Sequence, residues 1–209
     1  MPLVCVARHA ETTWNAVGKY QGRIDAPLSP LGQAQAQRLE LALRDKRIER
    51  IISSPLTRAI HTALPLSART GVRIETDERL TEIAHGTWEG RYRDEIAQSE
   101  PELFWEWREH PERVHFENGE SLADIAARWR SFVAEFNASK NTLLVTHDIV
   151  VRVALLERSN RELSELRTVH AFNAAYAQFN VVDGEWNLVH ASVQDHLAGL
   201  VADPSRQAL

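Results

Sequence analysis

The chain is poor in the residues that would staple it, anchor it in a bilayer or draw it to a polyanion. Cys5 is the single cysteine among 209 residues, so no internal disulfide can form. A reducing, cytoplasmic setting is therefore expected. Cys5 also sits inside an apolar run, where it reads as a small core side chain rather than a reactive thiol. No apolar stretch approaches the roughly 20 residues of a membrane-spanning helix. Too few residues precede Arg8 for a secretory leader, so no membrane association is expected. Positive charge is scarce as well: 24 Lys and Arg stand against 29 Asp and Glu, a formal net charge of −5. Nucleic-acid binding favours a basic footprint, and no nucleic-acid partner is expected. A small anionic ligand stays compatible with that balance, because a few converging arginines set the local potential. Internal repeats and low-complexity tracts are missing too.

What remains is an ordinary globular composition, 44% apolar and 25% charged, with no shift that would mark a boundary. One domain over 1–209 is the expectation. Its opening run, Leu3 to Ala7, reads as a fully buried strand of a parallel sheet. The run ends on Arg8-His9, and ligands of open α/β sheets bind outside the carboxyl ends of the strands. An imidazole there can attack phosphorus, and a guanidinium beside it can clamp phosphate oxygens. Taken alone, an Arg-His pair after a strand is an ordinary surface loop. The rest of the chain gives it weight.

Strands and helices then alternate. Ser29-Pro30 has the chemistry of a helix start, for a helix to about Arg44. Arg50 to Ser53 is a short strand, and Ser54-Pro55 repeats the cap signal for a second helix that Pro65 should kink or end. Val72 to Thr76 is another short strand. Tyr92 to Glu109 reads as helical with a break at Pro101, and Ser121 caps a helix ending near Phe136 with apolar residues at helical spacing. Thr142 to Thr146 is a second buried strand that also ends on a histidine, His147. Two alternating segments, Ala175 to Val182 and Trp186 to Ala191, read as a terminal hairpin around Asp183-Gly184. The pattern predicts a three-layer α/β/α sandwich with a mostly parallel central sheet. A small helical lid insertion is expected at about 91–120, and a frayed tail at about 200–209.

Two strands ending on histidines, with Arg58 in the first turn after Ser54-Pro55, make a plausible phosphate cage, because arginine forks and free amides at a helix start both hold phosphate. Glu82, in a glycine-flanked segment, is a candidate proton donor. The spacing of His9, His85, His147 and Glu82 matches no paired-histidine metal motif, and the Asp-x-Asp pairs of magnesium-dependent phosphatases are absent. Spacing alone does not bring these residues together. Trp105, Trp107 and Trp129 read as lid packing.

Arg8-His9-Ala10-Glu11-Thr12 with Asn15 resembles the Arg-His-Gly-Glu-Thr signature of the histidine phosphatase superfamily, the phosphoglycerate mutase-like proteins. The resemblance continues through Tyr20-Gln21-Gly22, Leu28 to Ala34, Ser53 to Ala59, Glu82 to Gly90, Gly119-Glu120-Ser121 and Val145-Thr146-His147, in the family's order and over most of the chain. Ala10 replaces the usual glycine. Asp148 stands where a glycine often follows the second histidine, and a carboxylate beside a phosphate is repulsive unless it points away.

The resemblance implies roles. His9 would become a phosphohistidine; Arg8, Arg58 and His147 would neutralise the phosphoryl oxygens; Asn15 would donate a further hydrogen bond. Glu82 would protonate the leaving oxygen and then activate water, so it needs a raised pKa. No metal and no cofactor enter this scheme. The compact length favours a phosphatase over a cofactor-dependent mutase. Within the superfamily the chain is similar to the metal-independent phosphoserine phosphatases, on Ala10, Tyr20-Gln21-Gly22, Glu82 to Gly86, Phe116 to Leu122, Asn173 to Tyr176 and His196 to Gly199. This subgroup resemblance implies that Gln21, Gly22 and His85 bind substrate, His85 through the substrate carboxylate, and that the segment around His196 closes over the ligand. It also implies order up to about Gly199 and a homodimer. Three functions stand at this point: a phosphomonoesterase for O-phosphoserine or another small metabolite such as α-ribazole phosphate, a phosphoglycerate-type mutase, and a non-catalytic scaffold on the same fold. The scaffold predicts a missing catalytic residue, and none of the six is missing.

Overall fold

The computed structural model describes residues 1–201; all but the start of the expected frayed tail lies outside the described residues. The first strand, β1 (Leu3–Arg8), is followed by α1 (Pro30–Ala42), β2 (Arg50–Ser53), α2 (Thr57–Thr70) and β3 (Ile74–Thr76). The pair α3 (Arg93–Ser99) and α4 (Pro101–Glu109) comes next, then α5 (Leu122–Glu135), β4 (Thr142–Thr146), α6 (Asp148–Arg158) and the hairpin β5 (Tyr176–Val182) and β6 (Glu185–Val193). The six strands form one sheet in the order β3-β2-β4-β1-β5-β6. Pairs β3-β2, β2-β4 and β4-β1 are parallel; β1-β5 and β5-β6 are antiparallel.

Both faces of the sheet are covered, which is why its central strands carry apolar residues toward both sides. Along β1, Val4 and Val6 enter one core with the α5 and α6 side chains Ile125, Trp129, Val150 and Val153. Cys5 and Ala7 enter the opposite core with Leu39 of α1 and Ala59, Ala63 and Leu66 of α2. That is the period-two alternation of a strand sandwiched between helical layers. Parallel β1 and β4 lie side by side at the sheet centre, with Arg8 in register with Thr146. Their carboxyl ends thus bring Arg8-His9 and His147 to one edge of the sheet.

Local chemistry places several boundaries. Ser29 accepts the Gly32 N–H at 2.9 Å and opens α1, and Ser121 with Asp124 forms a capping box at α5. The second cap signal is corrected. Ser54 does not cap α2, which starts at Thr57 with its N–H donating to Asp25 Oδ2 from another loop at 2.9 Å. Nor does Pro65 end α2, which runs on to Thr70. The carbonyl that loses its partner belongs to exposed His61, where it is open to solvent rather than stranded in the core. The break before Pro101 is present, between α3 and α4. These two helices fill the expected lid segment, and Phe104, Trp107 and Phe116 from it are buried in the α5–α6 core. Among the described residues no helix is long and apolar enough to cross a membrane.

Candidate active site

The loop leaving β1 is held rigid from below. The Ala10 N–H donates to Thr62 Oγ1 at 2.9 Å, and Thr62 donates on to the Arg58 carbonyl at 2.7 Å. The Glu11 N–H reaches Gln35 Oε1 at 2.8 Å. Gly32 of α1 lies so close to the Glu11 carbonyl that an added Cβ would stand 1.9 Å from it. The helix start can therefore dock under the loop only as glycine. On this support His9 is 2% exposed, and its Nδ1 lies 2.7 Å from the Ala10 carbonyl. A carbonyl only accepts, so Nδ1 carries the proton and Nε2 holds the lone pair. Burial, reinforced by Arg58 and Arg8, drives the His9 pKa well below its ordinary value. The imidazole is neutral and nucleophilic at physiological pH.

Two buried guanidiniums flank it. Arg58 donates to the carbonyls of Ile24 and Gly22 at 2.9 and 2.6 Å, while its buried Nε has no partner among the described residues. Burial lowers its pKa to about 10, which leaves it charged. Arg8 donates to the Ala171 carbonyl at 2.8 Å. Asn15 Oδ1 accepts the Thr12 N–H at 3.1 Å, so its amide nitrogen is the end left for the pocket. The Thr12 hydroxyl lies 3.0 Å from Asn15 Oδ1 and 2.9 Å from Gln21 Oε1, and its one proton serves both carbonyls. That leaves the Gln21 amide nitrogen free too.

Glu82 faces these cations. Its Oε1 accepts the Ile83 N–H at 2.9 Å, and its Oε2 accepts the Asp148 N–H at 3.1 Å from the first residue of α6. Burial, with Asp148 adding to it, raises its pKa to about 7. A carboxyl poised there can give and take a proton near neutrality.

Arg8, His9, Asn15, Gln21, Gly22, Arg58, Glu82 and His85 line one pocket, together with Trp107 and Ile149. The pocket therefore holds a neutral imidazole, two cations and a protonatable carboxyl, a set fitted to phosphoryl transfer. The profile described as "Histidine phosphatase superfamily (branch 1)" matches residues 4–194. The chain belongs to that superfamily. It is 32% identical to phosphoserine phosphatase 1 of Hydrogenobacter thermophilus over 200 residues, 94% of this chain and 95% of the relative. It is 38% identical to glucosyl-3-phosphoglycerate phosphatase of Mycobacterium tuberculosis over 133 residues, 64% of this chain and 59% of that one. Among solved structures, Bacillus stearothermophilus YhfR superposes with a TM-score of 0.87 at 28% identity, covering 94% of this chain and all of that one. The protein is a histidine phosphatase, with an α/β fold shared with these structural neighbours.

In this histidine phosphatase the His85 end of the pocket is aromatic. The His85 ring stands 5.0, 5.8 and 4.9 Å from the rings of Tyr20, Trp107 and Phe116. Burial in that cage lowers its pKa to about 3, so it presents a neutral imidazole. Trp107 both packs the lid and lines the pocket, whereas Trp105 is exposed and Trp129 packs on Phe132 and Trp186 away from it.

Two more expected site residues stand at different distances from the pocket. His147 caps α6 and is fully buried; its ring centroid is 5.1 Å from that of His9, and its Nε2 meets Ser54 Oγ at 2.8 Å. It stands against the nucleophile, next to the residues that line the pocket and outside their number. His196 is further off: its Nε2 bonds the Ala174 carbonyl at 2.9 Å, its ring packs on Tyr176, and it too is outside the lining. The segment 195–200 buttresses the sheet rather than covering the pocket, because Leu197 is buried in the α1–α2 core.

Sequence reasoning missed Glu89, Thr62 and Gln35. Glu89 Oε1 accepts the N–H groups of Arg23 and His85 at 3.1 and 3.0 Å, tying two pocket loops together. Gly22, at a φ of +52°, makes room for it: a Cβ there would meet that same oxygen at 2.0 Å. Asp148, expected as a repulsive carboxylate, turns to Arg8 Nη1 at 3.3 Å and Arg152 Nε at 2.9 Å.

Proposed function

We propose that this phosphatase hydrolyses O-phosphoserine, without metal, through a phosphohistidine on His9. The reading is carried by one observation: His9 has its Nδ1 committed to the Ala10 carbonyl, between two buried arginines and in the same pocket as a carboxyl with a pKa of about 7. Arg8 and Arg58 bind the phosphoryl oxygens, with the amides of Asn15 and Gln21. The two guanidiniums supply the positive charge that a metal supplies in other phosphatases.

His9 Nε2 forms a bond to phosphorus as the ester P–O bond breaks. The departing alkoxide takes the proton of Glu82 and leaves as serine. Water then attacks phosphorus and gives a proton to the Glu82 carboxylate. The P–N bond breaks, its electron pair returns to Nε2, and inorganic phosphate leaves. His147, neutral because burial and Arg58 keep its pKa well below the ordinary value, stands beside His9; with the Ser54 hydroxyl donating to its Nε2, its Nδ1 carries the proton and is the donor it can offer the phosphoryl group.

The substrate reading is supported by the full-length similarity to a phosphoserine phosphatase, by the compact pocket and by the caged His85. A neutral imidazole would meet the substrate carboxylate as a hydrogen-bond donor rather than as a cation. The test is a side-by-side screen of phosphoserine, phosphothreonine, 3-phosphoglycerate, α-ribazole phosphate and glucosyl-3-phosphoglycerate. Phosphoserine is expected to give the highest kcat/KM; another ester in first place overturns the substrate and leaves the chemistry standing. His9→Ala should abolish turnover while the protein stays folded, and an acid-labile phosphoenzyme should be trapped on the unaltered protein. Activity lost in EDTA and restored by magnesium would overturn the metal-free scheme.

A further inference from the structure

Asp148 is the side chain of the site with no role in the scheme above. It is 1% exposed and opens α6 immediately after His147. Its main chain and side chain do different things. The N–H anchors Glu82 Oε2 at 3.1 Å, and the carboxylate lies between two guanidiniums, Arg8 Nη1 at 3.3 Å and Arg152 Nε at 2.9 Å. Arg152 follows one helical turn later and is itself 6% exposed. A glycine at this position would keep the anchor and lose the carboxylate.

We propose that Asp148 is a positioning residue for the phosphatase reaction: its main-chain N–H anchors Glu82 while its carboxylate, at the same corner of the site, holds the Arg8 fork in place and sets the charge that the Glu82 carboxyl faces. This rests on the reading of Glu82 as the acid. The physical basis is like-charge repulsion at a buried site, which favours the protonated form of the neighbour. Without it, Glu82 would meet a mainly positive surround. Arg8 of β1 and Arg58 of α2 both act to ionise it, Arg128 of α5 faces it as well, and its two N–H donors stabilise the carboxylate. Asp148 is the acidic group that opposes them. Asp148 in turn is faced by Arg8, Arg152 and, from the 3-10 turn Leu163–Thr168, Arg167, with His85 nearby and neutral. One carboxylate among those cations keeps Arg8 from being repelled by Arg152.

The pH profile of kcat/KM for phosphoserine tests this, because it reports the free enzyme's acid. Its alkaline limb should move by about one unit to lower pH in Asp148→Asn and in Asp148→Gly, both of which keep the main-chain N–H. Arg152→Met removes the compensating cation and should move the limb the opposite way. A merely structural role for Asp148 predicts lower rates with the limb unmoved, and that result overturns the proposal. So would shifts of the same sign in Asp148→Asn and Arg152→Met. Glu82→Gln separates the two readings. If the limb persists in that variant, Glu82 is not the acid and the proposed mechanism fails, whatever Asp148 does. If it vanishes there but is unmoved by Asp148→Asn, the failure belongs to Asp148 alone. Thermal unfolding of each variant identifies any that do not fold; Asp148→Glu, which keeps the charge, should leave the limb near its position in the unaltered protein, and a limb displaced there as far as in Asp148→Asn counts against the proposal.

Discussion

At the residue scale, the site works by setting two groups to opposite protonation states. His9 is kept neutral by burial and two cations, and Glu82 is kept protonatable by burial and Asp148. The alkaline limb of kcat/KM is therefore expected near pH 7, where Glu82 loses its proton. Glu82→Gln should slow phosphoserine hydrolysis about 10²-fold or more. It should slow p-nitrophenyl phosphate less, since that leaving group needs little protonation; equal losses would remove Glu82 as the acid. His85→Ala should raise KM for phosphoserine more than for esters without a carboxylate, and an unchanged ratio would take it out of substrate recognition. Gly22 carries a different load. Its carbonyl accepts from Arg58 Nη2, and its φ of +52° leaves no room for a side chain against Glu89. Gly22→Ala should push Glu89 away, loosen Arg58 and lower kcat/KM at least tenfold, read in steady-state assays beside a melting curve.

At the scale of elements, the pocket is held by segments far apart in the chain. The turn Asp195–Leu197 carries His196 to the Ala174 carbonyl, and the Ala174 N–H returns to the Arg8 carbonyl at 3.1 Å. Gln35 links the Leu200 carbonyl, at 2.8 Å from its Nε2, to the Glu11 N–H at its Oε1. The C-terminal turn is thus a brace behind the nucleophile loop. His196→Ala removes one partly buried hydrogen bond, worth about 1 kcal/mol, and should lower Tm by about 2–4 °C. It should reduce kcat with KM for phosphoserine little changed. A large rise in KM would return His196 to substrate contact. Legibility followed the same divide. Strand and helix periodicity, the caps of α1 and α5 and the break at Pro101 depend on neighbours within a few residues, and the structure agrees with all of them. The start of α2 and the fate of Pro65 were decided by Asp25 from another loop and by solvent at His61. Neither is encoded in local spacing.

At the scale of the whole molecule, the buried imidazoles make stability depend on pH. His9, His85 and His147 have folded pKa values below the ordinary 6.5, so the unfolded chain binds more protons there as pH falls. Their contribution is fully present above pH 6.5 and is lost below it, toward the folded value of about 3 for His85. Glu82 acts in the opposite sense: with a folded pKa of about 7, it favours the folded state at low pH and disfavours it as pH rises through 7. Three imidazoles outweigh one carboxyl, and between pH 6.5 and about 5 stability should fall by up to about 3 kcal/mol per pH unit. Chemical denaturation at a series of pH values checks this. A midpoint flat across that range would mean that the imidazoles are not held neutral.

The order of strands and helices, the two histidines at strand ends and the block order of the superfamily are properties of the chain read along its length. They were enough to name His9, Arg8, Asn15, Arg58 and Glu82 before any fold was known. Local composition sets periodicity, and a nucleophile with its arginines leaves a recognisable pattern around a strand end. Three things were decided only by folding: that His147 meets Ser54 beside the His9 ring, that His196 bonds the Ala174 carbonyl, and that the carboxylate of Asp148 turns toward Arg8 and Arg152. Each depends on where side chains from distant segments can find partners once water is excluded. A buried donor, acceptor or charge takes the partner that the packed interior offers, and no spacing along the sequence specifies which one that is.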